Sequence, residues 1–400
     1  DPHTRQHLSD PSSQHRQIAI GFLWVSLFVF VGKLAGAAKE MAIAWRYGVS
    51  ATVDAYVFVF NLVNWPVSIW ASILTVVLLP LAARLRSENP AELPRFRAEL
   101  LGLTLALGVF LGLAMWLGFP LLLQRGWLGI SGNAMQQALQ MVSGLALLAP
   151  LGVLISLFSA WLLAAGHHRN TLFEAIPAFT LLIALVLPSA WLPEPLLWGT
   201  VAGFAFHAAA LATPLLRRGE ISAPRLAQKS PAWQFFWASI GIMALGQTLT
   251  SLTNLLDQFF AAGLGEGALS TLSYANRILA LILGLGATAV SRATLPVFSK
   301  EMAEGGGQVT ALAMQWFKWM LLLGVLAFVV SWLFAPWVVQ ILFERGAFTA
   351  QNTQVVSAIL RVALLQVIFY FPALVLVSAL AAQRRHGLIA WSGSINLLIK

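Results

Sequence analysis

The apolar positions of this chain gather into eleven long runs separated by short polar connections. A membrane-crossing helix needs about 20 apolar residues. On that measure the runs predict helices near 17–47, 52–84, 97–124, 134–165, 170–190, 195–217, 231–262, 267–299, 309–341, 353–383 and 386–400. The pattern is that of an all-α polytopic membrane protein, with no connection large enough to hold a soluble catalytic domain. The first sixteen residues are polar, and the run after them is too long for the core of a cleavable signal peptide. The last run stops at Ser394-Ile395-Asn396-Leu397-Leu398-Ile399-Lys400, so the chain is expected to be truncated in the eleventh helix.

Basic residues alternate around these runs. Connections on one side carry Arg5, Arg16, Arg84, Arg86, Arg95, Arg97, Arg169, Arg217, Arg218, Arg225, Lys229, Arg292, Lys300, Arg384 and Arg385, fifteen in all. The other side carries only Arg46, Arg125 and Arg345. Positive residues collect on the cytoplasmic side, which predicts a cytoplasmic N-terminus and odd-numbered spans running outward. The same asymmetry accounts for most of the net charge of +9, which is dispersed over short loops and does not form a nucleic-acid-binding surface. Hydrophobic residues make up 59% and charged residues 10%, with a mean hydropathy of +0.79; soluble domains run near 45–50% and about 25%.

The remaining six of the 24 basic residues, Lys33, Lys39, Arg277, Lys318, Arg361 and Lys400, lie inside the predicted spans. Charge is costly there and usually serves function. Lys318, within Trp316-Phe317-Lys318-Trp319, reads as a residue snorkelling beside aromatic anchors, and Arg361 fits either reading. At 100° per residue Lys33 and Glu40 share one helix face, and Lys39 and Arg46 share another about 120° away. Arg277 stands roughly ten residues, or about 15 Å, into its span, with Asp257 as one structural partner across the preceding turn. Asp54 opens the second span, where an acid suits a helix N-terminus. Asp257 also fits a coupling-cation site.

Other chemistry is thin. With no cysteine there is no thiol chemistry and no cysteine-based metal site. His167-His168 lacks a nearby third ligand, and Gly305-Gly306-Gly307 is followed by no Gly-Lys-Ser/Thr. Neither a catalytic set nor a cofactor motif is present in the sequence.

The second half echoes the first. Leu79-Pro80-Leu81 with Arg84 returns as Leu295-Pro296-Val297 with Lys300, and Glu40, Gly48 and Tyr56 return as Asp257, Gly265 and Tyr274. An even number of spans separates the copies, which predicts parallel repeats related by a twofold along the membrane normal, with a substrate site between lobes. The expected organisation is a cytoplasmic tail at 1–16, an N-lobe at 17–217, a cytoplasmic linker at 218–230 and a C-lobe at 231–400.

Gly32-Lys33-Leu34-Ala35-Gly36-Ala37-Ala38-Lys39-Glu40, followed by Tyr47-Gly48 and Asp54-Ala55-Tyr56, resembles the opening of the MurJ/MviN lipid II flippase family. Ser273-Tyr274-Ala275-Asn276-Arg277 with Thr294-Leu295-Pro296 is similar to that family's eighth helix. Leu342-Phe343-Glu344-Arg345-Gly346-Ala347-Phe348-Thr349 is similar to its loop between helices 9 and 10. The resemblance covers nearly the whole chain and implies the MOP exporter fold, two six-helix lobes in a V around a central cavity. It implies a multi-pass protein of the bacterial cytoplasmic membrane that moves a polyprenyl-diphosphate-linked saccharide from the inner to the outer leaflet by alternating access. It places Lys33, Lys39 and Arg277 at the substrate diphosphate and gives Asp54 a gate or ion-pair role; Glu40 and Asp257 join Asp54 as gate or ion-pair candidates on the charge reading above. There are departures. The family has arginines where Lys33 and Lys39 stand, and an arginine pair where this chain has Val67 and Ser68. Lysine is a point charge and lacks the planar fork with which arginine grips phosphate. This shifts the expected cargo toward a related saccharide, such as an exopolysaccharide repeat unit.

Two other readings compete. An ion-coupled drug exporter of the same fold calls for a cavity dominated by acids and aromatics, and a membrane-embedded sugar or acyl transferase calls for an acid or histidine in a roomy surface loop. For the flippase, voltage is a candidate energy source alongside a coupling cation. Export of a dianion gains about 4.6 kcal/mol per 100 mV with the inside negative.

Overall fold

The computed structural model describes residues 30–165, 168–303, 305 and 307–383. The first half of the first predicted span, Arg5, Arg16, His167, Arg384, Arg385 and the eleventh span with Lys400 lie outside the described residues. The described chain is helical, with no strand: α1 30–47, α2 Ala51–Glu88, α3 Leu93–Gln124, α4 Gly132–Leu145, α5 Leu148–Ala164, α6 Ile176–Val186, α7 Pro195–Arg217, α8 Ala232–Ala262, α9 Ala268–Ala303, α10 Val309–Phe343, α11 Ala350–Ala363 and α12 Leu365–Ala382. Among the described residues six helices or helix pairs are long and apolar enough to cross a membrane, and seven if α4 and α5 form one span. The protein is an integral membrane protein.

Three predicted spans differ in detail. The fourth is broken into α4 and α5, which meet at 48°. Pro150 has no N–H for the Ala146 carbonyl, which instead accepts a tighter bond from the Ala149 amide at 3.2 Å. The fifth begins as a 3-10 turn, His168–Ala175, and continues as α6, which starts with a proline in its first turn (Pro177) and is followed by Pro188. The tenth divides into α11 and α12 at Leu364, whose carbonyl accepts from the Val367 amide.

Contacts group the chain into two compact units that interleave along the sequence. One comprises the residues up to Lys39, Leu74–Val109 and Pro150–Phe236. Its α6 and α7 approach closely at Gly199 and Gly203, where a Cβ would press on Ala184 and Pro177. The connection after α7 lies against α3. The Arg225 amide donates to the Ala98 carbonyl at 2.9 Å, and a side chain at Gly102 would collide with the Arg225 backbone. Arg97 pairs with Glu220 at 3.1 Å. Glu99, 2% exposed, accepts from the Lys229 and Ser230 amides at 3.1 Å each and from the Trp233 indole at 2.7 Å. Phe96, Trp233 and Phe236 close this end as an edge-to-face aromatic cluster, with centroids 5.2 Å apart for Phe96–Trp233 and Trp233–Phe236.

The second unit comprises Glu40–Ile73, Phe110–Ala149 and the residues from Trp237 onward. Here α10 packs along α12 and α9 along both α11 and α12. Gly324 lets α10 approach the Ile368 carbonyl of α12. Pro372 has no N–H to offer that carbonyl four residues before it. Pro336 leaves the Trp332 carbonyl open in the same way, and Arg361 supplies the missing donor, Nε to oxygen at 3.1 Å, while its guanidinium lies 4.4 Å from the Trp332 ring centroid. Arg361 is thus a structural base that repairs a proline break. Arg361→Leu is expected to lower the melting temperature in detergent by several degrees, whereas Arg361→Lys, which keeps a donor, costs less. Equal melting of Arg361→Leu and wild type would refute this role.

Candidate functional site

A polar cavity opens among three helices of the second unit. It has a volume of about 380 Å³, at the low end of the roughly 300–1,000 Å³ typical of small-molecule sites. Each helix contributes one stripe at the i, i+3, i+4, i+7 spacing of a helix face. From α2 come Asn61, Asn64, Trp65 and Ser68; from α8 Ser251, Asn254, Asp257 and Gln258; from α9 Ser273, Asn276 and Arg277. The Trp65 indole donates to Ser251 Oγ at 2.9 Å, tying α2 to α8 across the pocket. The Arg277 guanidinium Nε lies 3.1 Å from Glu40 Oε1. Its side chain is 51% exposed, which leaves donors facing the pocket, while that of Glu40 is 13% exposed.

Of the residues expected from sequence, Asp257 and Arg277 line this cavity and Glu40 reaches it through Arg277. Arg277 pairs with Glu40, which the sequence sets on the same helix face as Lys33. Lys33 is exposed on α1 and Lys39 half-buried at the end of the first unit's part of that helix; neither is among the cavity lining. Asp54, 3% exposed, neither caps its own helix nor pairs with a base. It accepts the Gly267 and Ser270 amides of the first turn of α9 at 2.5 and 2.6 Å, satisfying N–H groups that a helix N-terminus leaves open. Around it, Tyr274 donates to the Gly48 carbonyl at 2.9 Å, and the Ala347 amide donates to the Trp45 carbonyl at 2.8 Å. Gly48 takes φ +59°, and a Cβ there would strike the Ala347 carbonyl, so the α1–α2 turn sits directly on the loop before α11. Gly265, 217 residues after Gly48, also takes a positive φ, +111°.

Sequence reasoning did not single out Asn64, Trp65, Ser251, Asn254 or Gln258. The available signal was a run of amides and hydroxyls at helical spacing inside apolar spans, weaker than a charge but repeated on three helices. Among the described residues no group of His, Asp and Glu is arranged to hold a metal.

A model of the lipid II flippase MurJ family matches residues 43–395. The chain belongs to the MurJ lipid II flippase family. That family is one of transporters, not enzymes. A probable lipid II flippase MurJ of Rhizobium tropici is 26% identical over 382 residues, covering 89% of this chain and 69% of that protein. One of Bdellovibrio bacteriovorus is 28% identical over 203 residues, covering 48% of this chain and 37% of the relative. The matched part thus spans little more than a third of one curated relative and about two thirds of the other. Among solved structures, a lipid II flippase MurJ in an inward closed conformation superposes with a TM-score of 0.78 at 17% identity, covering 94% of this chain and 79% of that one. An inward-facing multidrug resistance MATE transporter of the MOP superfamily gives 0.62 at 15% identity, covering 88% and 84%. These likenesses establish the MOP-type fold. On α2, Val67 is buried and Ser68 lines the cavity.

Proposed function

We propose that this MurJ-family chain carries a polyprenyl-diphosphate-linked saccharide, lipid II or a close relative, from the inner to the outer leaflet of the bacterial cytoplasmic membrane by alternating access. The observation that carries the reading is a polar cavity, built from three apolar helices, with Arg277 at its wall. A hydrophilic headgroup needs such a compartment to cross hydrocarbon, while its lipid tail stays in the bilayer. Lys33, Lys39 and Arg277 are assigned to the diphosphate. Glu40 holds Arg277 while the site is empty and yields it to phosphate oxygens, which form charge-assisted bonds of the same kind. Asp54 and Asp257 are assigned to gating, Asp54 through its hold on α9. The membrane potential favours outward movement of the anionic cargo, with cation coupling as the other source of drive. In a host depleted of this protein, lipid-linked saccharide should accumulate in the inner leaflet and return to normal on re-expression; unchanged leaflet distribution would reject the proposal.

The N-terminus is assigned to the cytoplasm from the basic-residue asymmetry. The cysteine-free chain allows a direct test. Ser87→Cys and Gln228→Cys should be shielded from an impermeant thiol reagent in intact cells, whereas Ser50→Cys and Leu264→Cys should react. Leu264, 81% exposed, is a better outer probe than Gly265, whose positive φ a cysteine would strain. Labelling at Ser87→Cys in intact cells would invert the topology.

A further inference from the structure

The α6–α7 hairpin of the first unit carries an apolar groove of about 510 Å³. Ile183 and Leu187 of α6, Leu192 of the turn, and Trp198, Val201 and Ala202 of α7 line it. Gly199 lets the two helices close beneath it, since a Cβ there would press on Ala184 and Leu181. The hydroxyl in the lining, that of Thr180, already donates to the Ile176 carbonyl at 2.9 Å, so it asks nothing of a guest. From Thr180 to Leu187 the groove follows α6 for roughly 10 Å, a length that suits an extended hydrocarbon chain.

The mouth of the groove has different chemistry. Leu187 and Leu192 bracket the turn that joins the helices, and the charged residue of that turn is Glu194. From Asn170 to Leu216 the chain has no lysine or arginine to offset it. Among the described residues the Glu194 carboxylate enters no ion pair and does not cap α7. Glu194 is also the one described non-glycine residue at positive φ, +53°. Such strain is costly and gathers where a site needs it. The Trp198 amide donates to the Glu194 carbonyl at 3.1 Å, so the acid stands one helical turn from the indole of the groove. Trp191, in the same turn, is 77% exposed. An isolated carboxylate flanked in sequence by two indoles attracts an ammonium, through charge and through cation–π contact.

We propose that this groove binds a phospholipid whose headgroup ends in an ammonium, of the phosphatidylethanolamine class. One acyl chain lies between α6 and α7, the ammonium meets the Glu194 carboxylate, and the Trp191 and Trp198 indoles flank the headgroup at the membrane interface, where tryptophan is at home. A headgroup of net negative charge meets Glu194 with no base beside it and is disfavoured. On the topology assigned above, the site faces the outer leaflet, opposite the basic end of the same hairpin at Arg217 and Arg218.

The cysteine-free chain allows a local readout. Ala190→Cys, exposed in the turn, takes a bimane label. The labelled full chain in maltoside detergent is titrated with phosphatidylethanolamine, or with phosphatidylglycerol of the same chains, each carrying a nitroxide near the top of one acyl chain. Quenching by phosphatidylethanolamine is expected at a concentration about fivefold lower than by phosphatidylglycerol, the factor that one well-placed exposed ion pair contributes. Glu194→Gln should reduce that preference to less than about twofold, and Glu194→Asp, which keeps the charge, should retain most of it. Ala202→Phe, which fills the groove, should raise the midpoint for both lipids while melting at the wild-type temperature. Equal quenching by the two lipids, as simple partition into the detergent belt would give, would overturn the proposal. So would an unchanged preference in Glu194→Gln or an unchanged midpoint in Ala202→Phe.

Discussion

Arg277→Gln is expected to lower transport of lipid-linked saccharide by about tenfold to a hundredfold at normal expression, the loss that follows from removing a hydrogen bond to a charged group worth roughly 1.5–3 kcal/mol. Its guanidinium is the basic group in the cavity wall, and its half-exposed fork can turn from Glu40 to a diphosphate. Lys39→Gln should have an effect of the same order, and Lys39→Arg should be tolerated because it keeps the positive charge and adds donors. Arg277→Lys should fall between, since a point charge replaces a fork. The pair with Glu40 makes a stability role the competing explanation, and a double variant separates the two. If the pair is only structural, Glu40→Gln/Arg277→Gln recovers both folding and transport. If Arg277 holds the diphosphate, folding recovers and transport does not. Lys318→Gln, exposed among the aromatic anchors of α10, should be silent in both measurements.

Glu99→Leu is expected to destabilise the first unit by about 3 kcal/mol or more. One buried carboxylate accepts three N–H groups from 229–233 and a fourth bond from Arg95 at 3.3 Å. Each buried donor left without an acceptor costs about 1–3 kcal/mol. The connection between α7 and α8 would then lift from α3, exposing the bonds after Arg225 and Lys229. Trypsin should cut there much faster than in wild type, and the melting temperature should fall. Glu99→Gln keeps one acceptor oxygen and should show a smaller effect. A Glu99→Leu protein that melts normally and resists trypsin would show that the connection is held by the aromatic cluster alone.

What the sequence disclosed follows from how local each signal is. Apolar runs fix helices without tertiary help, and α10 at Val309–Phe343 lies almost on the predicted 309–341. Arg277 and Asp257 were visible as charges in apolar surroundings. The partner of Arg277 was not, because Glu40 lies in another span, 237 positions before it, and no spacing rule links the two. Asp54 was read within its own helix, yet the amides it satisfies belong to α9, brought there by the close turns at Gly48 and Gly346. Arg361 was undecidable because its role depends on a proline in a neighbouring helix. The cavity itself was invisible for the same reason. Asn64, Asn254 and Asn276 are unremarkable one by one and become a site only where three helices converge.

The central claim is relocation of an intact lipid-linked saccharide. Its most direct test reconstitutes the purified chain in liposomes holding a polyprenyl-diphosphate-linked N-acetylglucosamine with a fluorescent group on the sugar. An impermeant quencher then follows the fraction in the outer leaflet over time. The account predicts that lipid from the inner leaflet becomes accessible at a rate well above that of protein-free liposomes, that Arg277→Gln abolishes most of the increase, and that the recovered lipid is chemically unchanged. Accessibility that stays at the protein-free rate, or a recovered lipid bearing a new bond, would contradict it.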